Sequence, residues 1–235
     1  MQADYTKDRR VRTMNEAIDY FSYGNRLLSV KTHFSLIARK KMYRLFLSML
    51  QPDPKDEILD LGTTPDMRLA DSNLFDKLYP YKDHLSVCSV EDCSELAETL
   101  GLKQCFRNEP HRPLPFDDRQ FDICFCSVVL EHVGDRENQE QFLNECLRIA
   151  RKVFITTPYR YFPLEVHTFL PFVHWLPQPV FQAITKRLQG EFWASTENLN
   201  LCSMRDIRRM KLTRAVEIRF IRTAGMRSNM VLIAR

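Results

Sequence analysis

Apolar residues along this chain change period several times, from helical spacing to unbroken runs suited to buried strands. Met14, Ala17, Ile18 and Phe21 are spaced to share one face of a short amphipathic helix. A second helix is expected from about Leu36 to Leu50, where "QPDP" stops it because proline cannot continue the backbone ladder. Strand Glu57–Leu61, a helix within Met67–Tyr79, strand His84–Val90 and a helix over Cys93–Leu100 follow. The short run "KQCFR" reads as a weak strand, and "NEPHRPLPFDDRQ" as a turn-rich connection. "FDICFCSVVL" is nearly continuous in apolar character, as suits a parallel strand covered on both faces. Helix Asn138–Arg151 carries its stripe at Phe142, Leu143, Cys146, Leu147 and Ala150, and strand "KVFITT" comes directly after it. Alternation of this kind predicts a doubly wound α/β sheet. "AVEIRFIRT" and "SNMVLIA" are separated only by Ala224, Gly225, Met226 and Arg227, too short a link for a crossover, so the final pair is expected to be antiparallel.

Composition narrows the class. The 235 residues and 44% hydrophobic content suit one domain with a substantial core, and neither an internal repeat nor a low-complexity tract interrupts it. A net charge of +4 falls short of a dedicated nucleic-acid binder. The basic start "MQADYTKDRRVR" leads into no apolar segment, so a secretory signal is not expected, and no apolar run reaches the ~20 residues that span a bilayer. Seven cysteines are scattered without a C-x-x-C pair, which favours reduced thiols in a cytoplasmic protein over zinc or disulfides. No metal site is expected on this reading.

In such sheets ligands lie at the carboxyl ends of the strands. The first strand ends at Asp60, Gly62, Thr63 and Thr64, the second at Glu91 and Asp92, and the third at Asn108 and Glu109. The fourth ends at Ser127, Glu131 and His132, the fifth at Thr157, Pro158 and Tyr159. A dinucleotide loop needs several glycines for its pyrophosphate, and this one has a single glycine followed by two threonines. A cofactor with a ribose and an adenine but no phosphate, such as S-adenosylmethionine, does not need them. An acid at the second strand end is placed to accept bonds from ribose hydroxyls, with Glu91 and Asp92 both open as that acid.

"ILDLG", "RPLPFDDRQFDICFCSVVLEHVGD" and "QFLNECLRIARKVFITTP" resemble a class I S-adenosylmethionine-dependent methyltransferase of the type 11 group, over roughly Glu57 to Pro158. "DLGTTPD", "SNLF", "LEHVGD" and "TTPYRYFPLEVHTFLPFVHWLP" resemble a bacterial branch of that group that itself lacks the full glycine-rich loop, and this likeness runs on to "SNMVLIAR". The resemblance implies a Rossmann-like, mostly parallel seven-stranded sheet with an antiparallel C-terminal hairpin. It also implies a single methyltransferase domain over 1–235, with an N-terminal helical cap over 1–50 and an acceptor-side insertion or lid over 159–200. Where the general family has further glycines, this sequence has Thr64 and Asp66.

For the chemistry, His167 stands out, with Glu165 two residues away, and the two share a face if the segment is extended. A carboxylate beside an imidazole orients it and raises its basicity, so the pair can serve as a base or as a structural hydrogen bond. His132 is the second candidate base, or an anchor for the loop after the fourth strand. Phe169, Phe172 and Trp175 read as apolar cover. "KTHFSLIARKKMYR" and "RDIRRMKLTR" read as solvated basic faces, with a phosphate-rich acceptor as the sharper alternative. The fourth strand lacks the Asn/Asp-Pro-Pro-aromatic motif of nucleobase amino methylation, which leaves RNA a minor alternative. The expected acceptor is a small molecule, a glycan or a lipid-linked compound, with contact at a membrane surface open. The competing class is a non-catalytic binding or scaffold protein of the same fold.

Overall fold

A computed structural model describes residues 25–235. The expected helix around Met14–Phe21 lies outside the described residues. Helix α1 spans Asn25–Leu50, starting upstream of the expected Leu36, and its sequence contains neither glycine nor proline to break it. Ala38, Met42, Phe46 and Leu50 recur every four residues and are buried as one stripe. Phe46 meets Phe75, Phe125 and Phe154 edge-on, with ring centroids 5.0–5.6 Å apart. This helix therefore covers a face of the sheet in addition to lining a cavity at its edge.

The remaining order is β1 (Ile58–Leu61), α2 (Leu74–Leu78), β2 (Leu85–Ser89), α3 (Ser94–Leu100), β3 (Gln104–Arg107), β4 (Phe121–Ser127), α4 (Arg136–Ile149) and β5 (Ala150–Pro158). Then come α5 (Gln178–Gln189), α6 (Glu191–Ala194), α7 (Met204–Arg209), β6 (Glu217–Thr223) and β7 (Met226–Ala234). The seven strands form one sheet in the order β3-β2-β1-β4-β5-β7-β6. β1 pairs in parallel with β2 and β4, β4 with β5, and β7 runs antiparallel to both β5 and β6. The chain reverses between β1 and β4, so ligand-binding crevices are expected where β1, β2 and β4 end.

Three local readings change. The apolar run "FDICFCSVVL" stops being strand at Ser127, because Val128 turns with φ +63 and Leu130–His132 form a 3-10 turn. Apolar continuity could not reveal this, since the valines and Leu130 pack as well in the turn as in a strand. The link between β6 and β7 is two residues, Ala224 and Gly225, both with positive φ as a type I′ turn demands. Finally, residues 163–172 form a tight loop with a bridge between Leu164 and Pro171, so the extended form that would align Glu165 with His167 is not adopted. Beyond that loop, Phe181, Trp193, Leu199 and Leu201 make a small apolar cluster of their own. Helix α7 opens with a reciprocal capping box between Ser203 and Asp206.

Candidate active site

A cavity of about 770 Å³ opens at the carboxyl ends of the central strands. Asp60, Gly62, Thr63, Thr64, Glu91, Asn108, Glu109 and Ser127 line it, and His132 and His167 close its far end. Asp92 is not among its walls: its side chain is exposed and accepts the Ser94 amide at 3.0 Å, starting α3. Of the two acids at this strand end, Glu91 faces the cavity.

The loop after β1 keeps its shape without glycines through one side chain. Asn73 donates from Nδ2 to the carbonyls of Thr64 (2.7 Å) and Asp66 (3.0 Å), and its Oδ1 accepts the Thr64 amide at 3.3 Å. Gly62, at φ +93, donates its backbone N–H to the Cys88 carbonyl at 2.8 Å. A Cβ at Gly62 would lie 2.1 Å from Cγ2 of Val129, so the cavity's first loop presses directly on the loop after β4.

Below that loop two carboxyl groups are buried together. Burial pushes the Asp60 carboxyl well above the ordinary carboxylate range, and the neighbouring Asp76 raises it further. Asp76 is itself lifted by burial to about 6, against the opposing influence of Asp60 and the charges of Lys82, Lys77 and Arg39. Arg39 and Asp60 both line the cavity. Asp76 and Arg39 carried no signal in the sequence: Asp76 sits among apolar residues of α2, and Arg39 lies in a run of basic residues that reads as solvated.

The other end of the cavity is a cluster of two histidines and two glutamates. Nε2 of His132 lies 3.2 Å from Nε2 of His167, and Oε1 of Glu131 lies 3.8 and 3.9 Å from these two nitrogens. Nδ1 of His132 donates to the Asn198 carbonyl at 2.6 Å. Nδ1 of His167 faces Oε1 of Glu165 at 2.7 Å. Glu165 also accepts the backbone amides of His167 and Thr168, so the tight loop wraps around this carboxylate and binds it to its histidine. Although burial alone would raise it, the His167 imidazole and these donors hold Glu165 at about 2, firmly ionised. Burial and the adjacent His167 push His132 down to about 3, so its ring is neutral. Glu131 is fully buried, and burial raises it to about 7. Its Oε2 accepts from the Thr157 hydroxyl at 3.0 Å. The indole of Trp193, from α6, lies against both imidazoles, with centroids 5.3 and 6.2 Å away. Glu165 reaches the cavity only through His167. Glu131 and His132 follow Val128, whose left-handed backbone is strained for a β-branched residue and ends the strand there.

Residues 79–153 match the family model described as a methyltransferase domain. No curated protein matches the chain. Among solved structures, the chain is similar to magnesium protoporphyrin IX methyltransferase from Synechocystis, solved with SAH bound, at 10% identity and a TM-score of 0.56, covering 91% of this chain and 88% of that one. It is also similar to a SAM-dependent methyltransferase from Thermotoga maritima, at 12% identity and TM-score 0.54, covering 88% and 92%. A third is the YcgJ protein of Bacillus subtilis, at 14% identity and TM-score 0.51, covering 83% and 95%. At these identities the likeness speaks to the fold.

Proposed function

The chain carries a methyltransferase domain of class I, S-adenosylmethionine-dependent architecture, and on that premise we propose that it methylates a small-molecule, glycan or lipid-linked acceptor in the cavity described above. One observation carries the reading: a single cavity joins the acids at the ends of β1 and β2 to the histidine cluster after β4.

The donor set suits the cofactor. Asp60 lines the cavity from a buried position, where a cationic amino group would favour its ionised form. Glu91 and Asn108 line the same cavity and would serve as partners for ribose hydroxyls and a base edge. The loop clamped by Asn73 brings the Thr63–Thr64 backbone to the cavity wall without the glycines a pyrophosphate requires. When bound, S-adenosylmethionine supplies a methyl carbon activated by a sulfonium. The protein's contribution is to align that carbon with the acceptor and exclude water, an effect of up to ~7–11 kcal/mol on the barrier. Glu131, His132, Glu165 and His167 form the acceptor end, where their task is to favour loss of the acceptor's proton.

Residues 159–200 serve as the acceptor-side cover, through His167 and Trp193. Tyr161, Phe172, Trp175, Leu176, Val180 and Leu188 of this segment are exposed. That concentration of exposed apolar side chains in one segment supports a lipid-linked acceptor over a free polar one. Among the described residues no helix is long and apolar enough to cross a membrane.

The test is a thermal melt of the purified protein with S-adenosylhomocysteine or NAD. At a hundredfold excess over its dissociation constant the adenosyl ligand should stabilise the fold by ~2.7 kcal/mol, while NAD leaves the melting temperature unchanged. A folded sample that answers to neither S-adenosylmethionine nor S-adenosylhomocysteine would favour the scaffold alternative.

A further inference from the structure

The acceptor-end cluster holds more than a general base requires. We propose that Glu131, His132 and His167 bind one divalent transition-metal cation of the zinc, cobalt or manganese kind at the floor of the cavity. This deepens the reading of the cluster as the acceptor end and rests on it only for the ion's role, not for its binding.

The geometry is that of a ligand set. The two Nε2 atoms and Oε1 of Glu131 are separated by 3.2, 3.8 and 3.9 Å. The point equidistant from three atoms so spaced lies about 2.1 Å from each, the length of a zinc–imidazole or zinc–carboxylate bond. Each ligand is oriented from behind. The Asn198 carbonyl takes the Nδ1 proton of His132, which leaves its Nε2 unprotonated and able to bind a cation. Glu165 does the same for His167, completing the carboxylate–histidine arrangement that fixes ring orientation in metal sites. Thr157 holds the far oxygen of Glu131.

An independent observation comes from Glu131 itself. Its side chain is 0% exposed, and Oε1 has no hydrogen-bond partner among the described residues. A buried carboxylate oxygen left so is costly, and a cation at the equidistant point would satisfy it. Two imidazoles and one carboxylate suit zinc and its neighbours, whereas magnesium and calcium prefer oxygen ligands alone. Three protein ligands also leave coordination positions open, as catalytic sites do and structural ones do not. His132 and His167 both reach the cavity, so an acceptor hydroxyl could occupy such a position and shed its proton to solvent far more readily than when free.

The experiment uses the full chain, stripped with EDTA and dialysed. Zinc chloride is titrated by calorimetry, and cobalt(II) is followed in the visible spectrum. One equivalent should bind, with cobalt ligand-field bands and no thiolate charge transfer, which separates this site from the cysteines. Glu131→Gln should weaken zinc by ~100-fold or more, and Glu165→Gln, which acts through His167, by ~10–100-fold. The S-adenosylhomocysteine thermal shift, measured on the same preparations, reports that each variant is folded and keeps the cofactor end intact. If the shift is present and zinc fails to bind, or binds Glu131→Gln and His167→Ala as tightly as the parent, the cation site is wrong and two imidazoles sharing a proton remain. If zinc binds at one equivalent, sensitive to these substitutions, but no adenosyl ligand shifts the melt, the cation site stands and the methyl-transfer reading falls.

Discussion

The buried pair beneath β1 gives a pH-dependent stability whose size can be worked out. Asp76 is 0% exposed, and burial moves its carboxyl from 3.8 to about 6. The folded protein therefore holds that proton more tightly than the unfolded chain. Below about pH 3 both states keep it; between 3 and 7 the unfolded chain releases it first; above about 7 both are ionised and the fold carries the full cost. At 1.36 kcal/mol for each tenfold in proton affinity, the difference between 3.8 and about 6 is about 3 kcal/mol of stability, present at low pH and lost by pH 7. Asp76→Asn removes this titration while keeping the shape. Whatever constant penalty the amide brings, the parent's advantage over the variant should shrink by about 3 kcal/mol from pH 3 to pH 7. For a domain of this size that is roughly 6–12 °C in relative melting temperature. Calorimetric or urea unfolding of both proteins at four pH values measures it. Parallel stability profiles across that window would show that Asp76 titrates normally and that the pair does not exist as described.

Gly62→Ala should both lower the melting temperature and shrink the S-adenosylhomocysteine shift, since its Cβ would collide with Val129, whereas Gly101→Ala, with nothing within 4 Å, should cost only ~1–2 kcal/mol of left-handed strain. Equal losses in the two variants would remove the loop contact from the account. Asn73→Ala should destabilise by ~1–3 kcal/mol and weaken the adenosyl ligand, as its three bonds to the Thr64–Asp66 backbone vanish; an unchanged ligand titration would mean that the loop holds itself. Phe46→Ala should cost ~3–5 kcal/mol in urea unfolding without altering ligand affinity, because its ring fills the interface between α1 and the sheet.

Much of the frame was legible because period and punctuation agreed. The strands from Glu57 to Pro158 lie close to their expected places, and the terminal hairpin followed from a link too short to cross over. What escaped were features set by tertiary contact. Val128 looks like strand because its apolar neighbours do; only its dihedral shows the turn. Helix α5 escaped because Pro177 and Pro179 suggest a loop, although a proline is tolerated in a helix's first turn. In the site, His132, Glu165 and His167 were visible as residue types, but their convergence from two loops about 35 residues apart was not. Glu131 stood beside His132 in plain view at the strand end, yet burial, which gives it its chemistry, is no property of sequence.

The place of β7 in the sheet bears on how the chain comes off the ribosome. β5 pairs with β4 on one side, and its other side waits for β7. Between the two strands lie residues 159–225, a stretch of 67 residues. At ~5–20 residues per second, the Val153–Phe154–Ile155 edge stands open for roughly 3–13 s of synthesis. An apolar edge exposed for so long is a template for pairing with another nascent chain, and the helices built from 178–209 emerge during that interval. The segment proposed to cover the acceptor is thus the part of the molecule available to shelter the unfinished sheet.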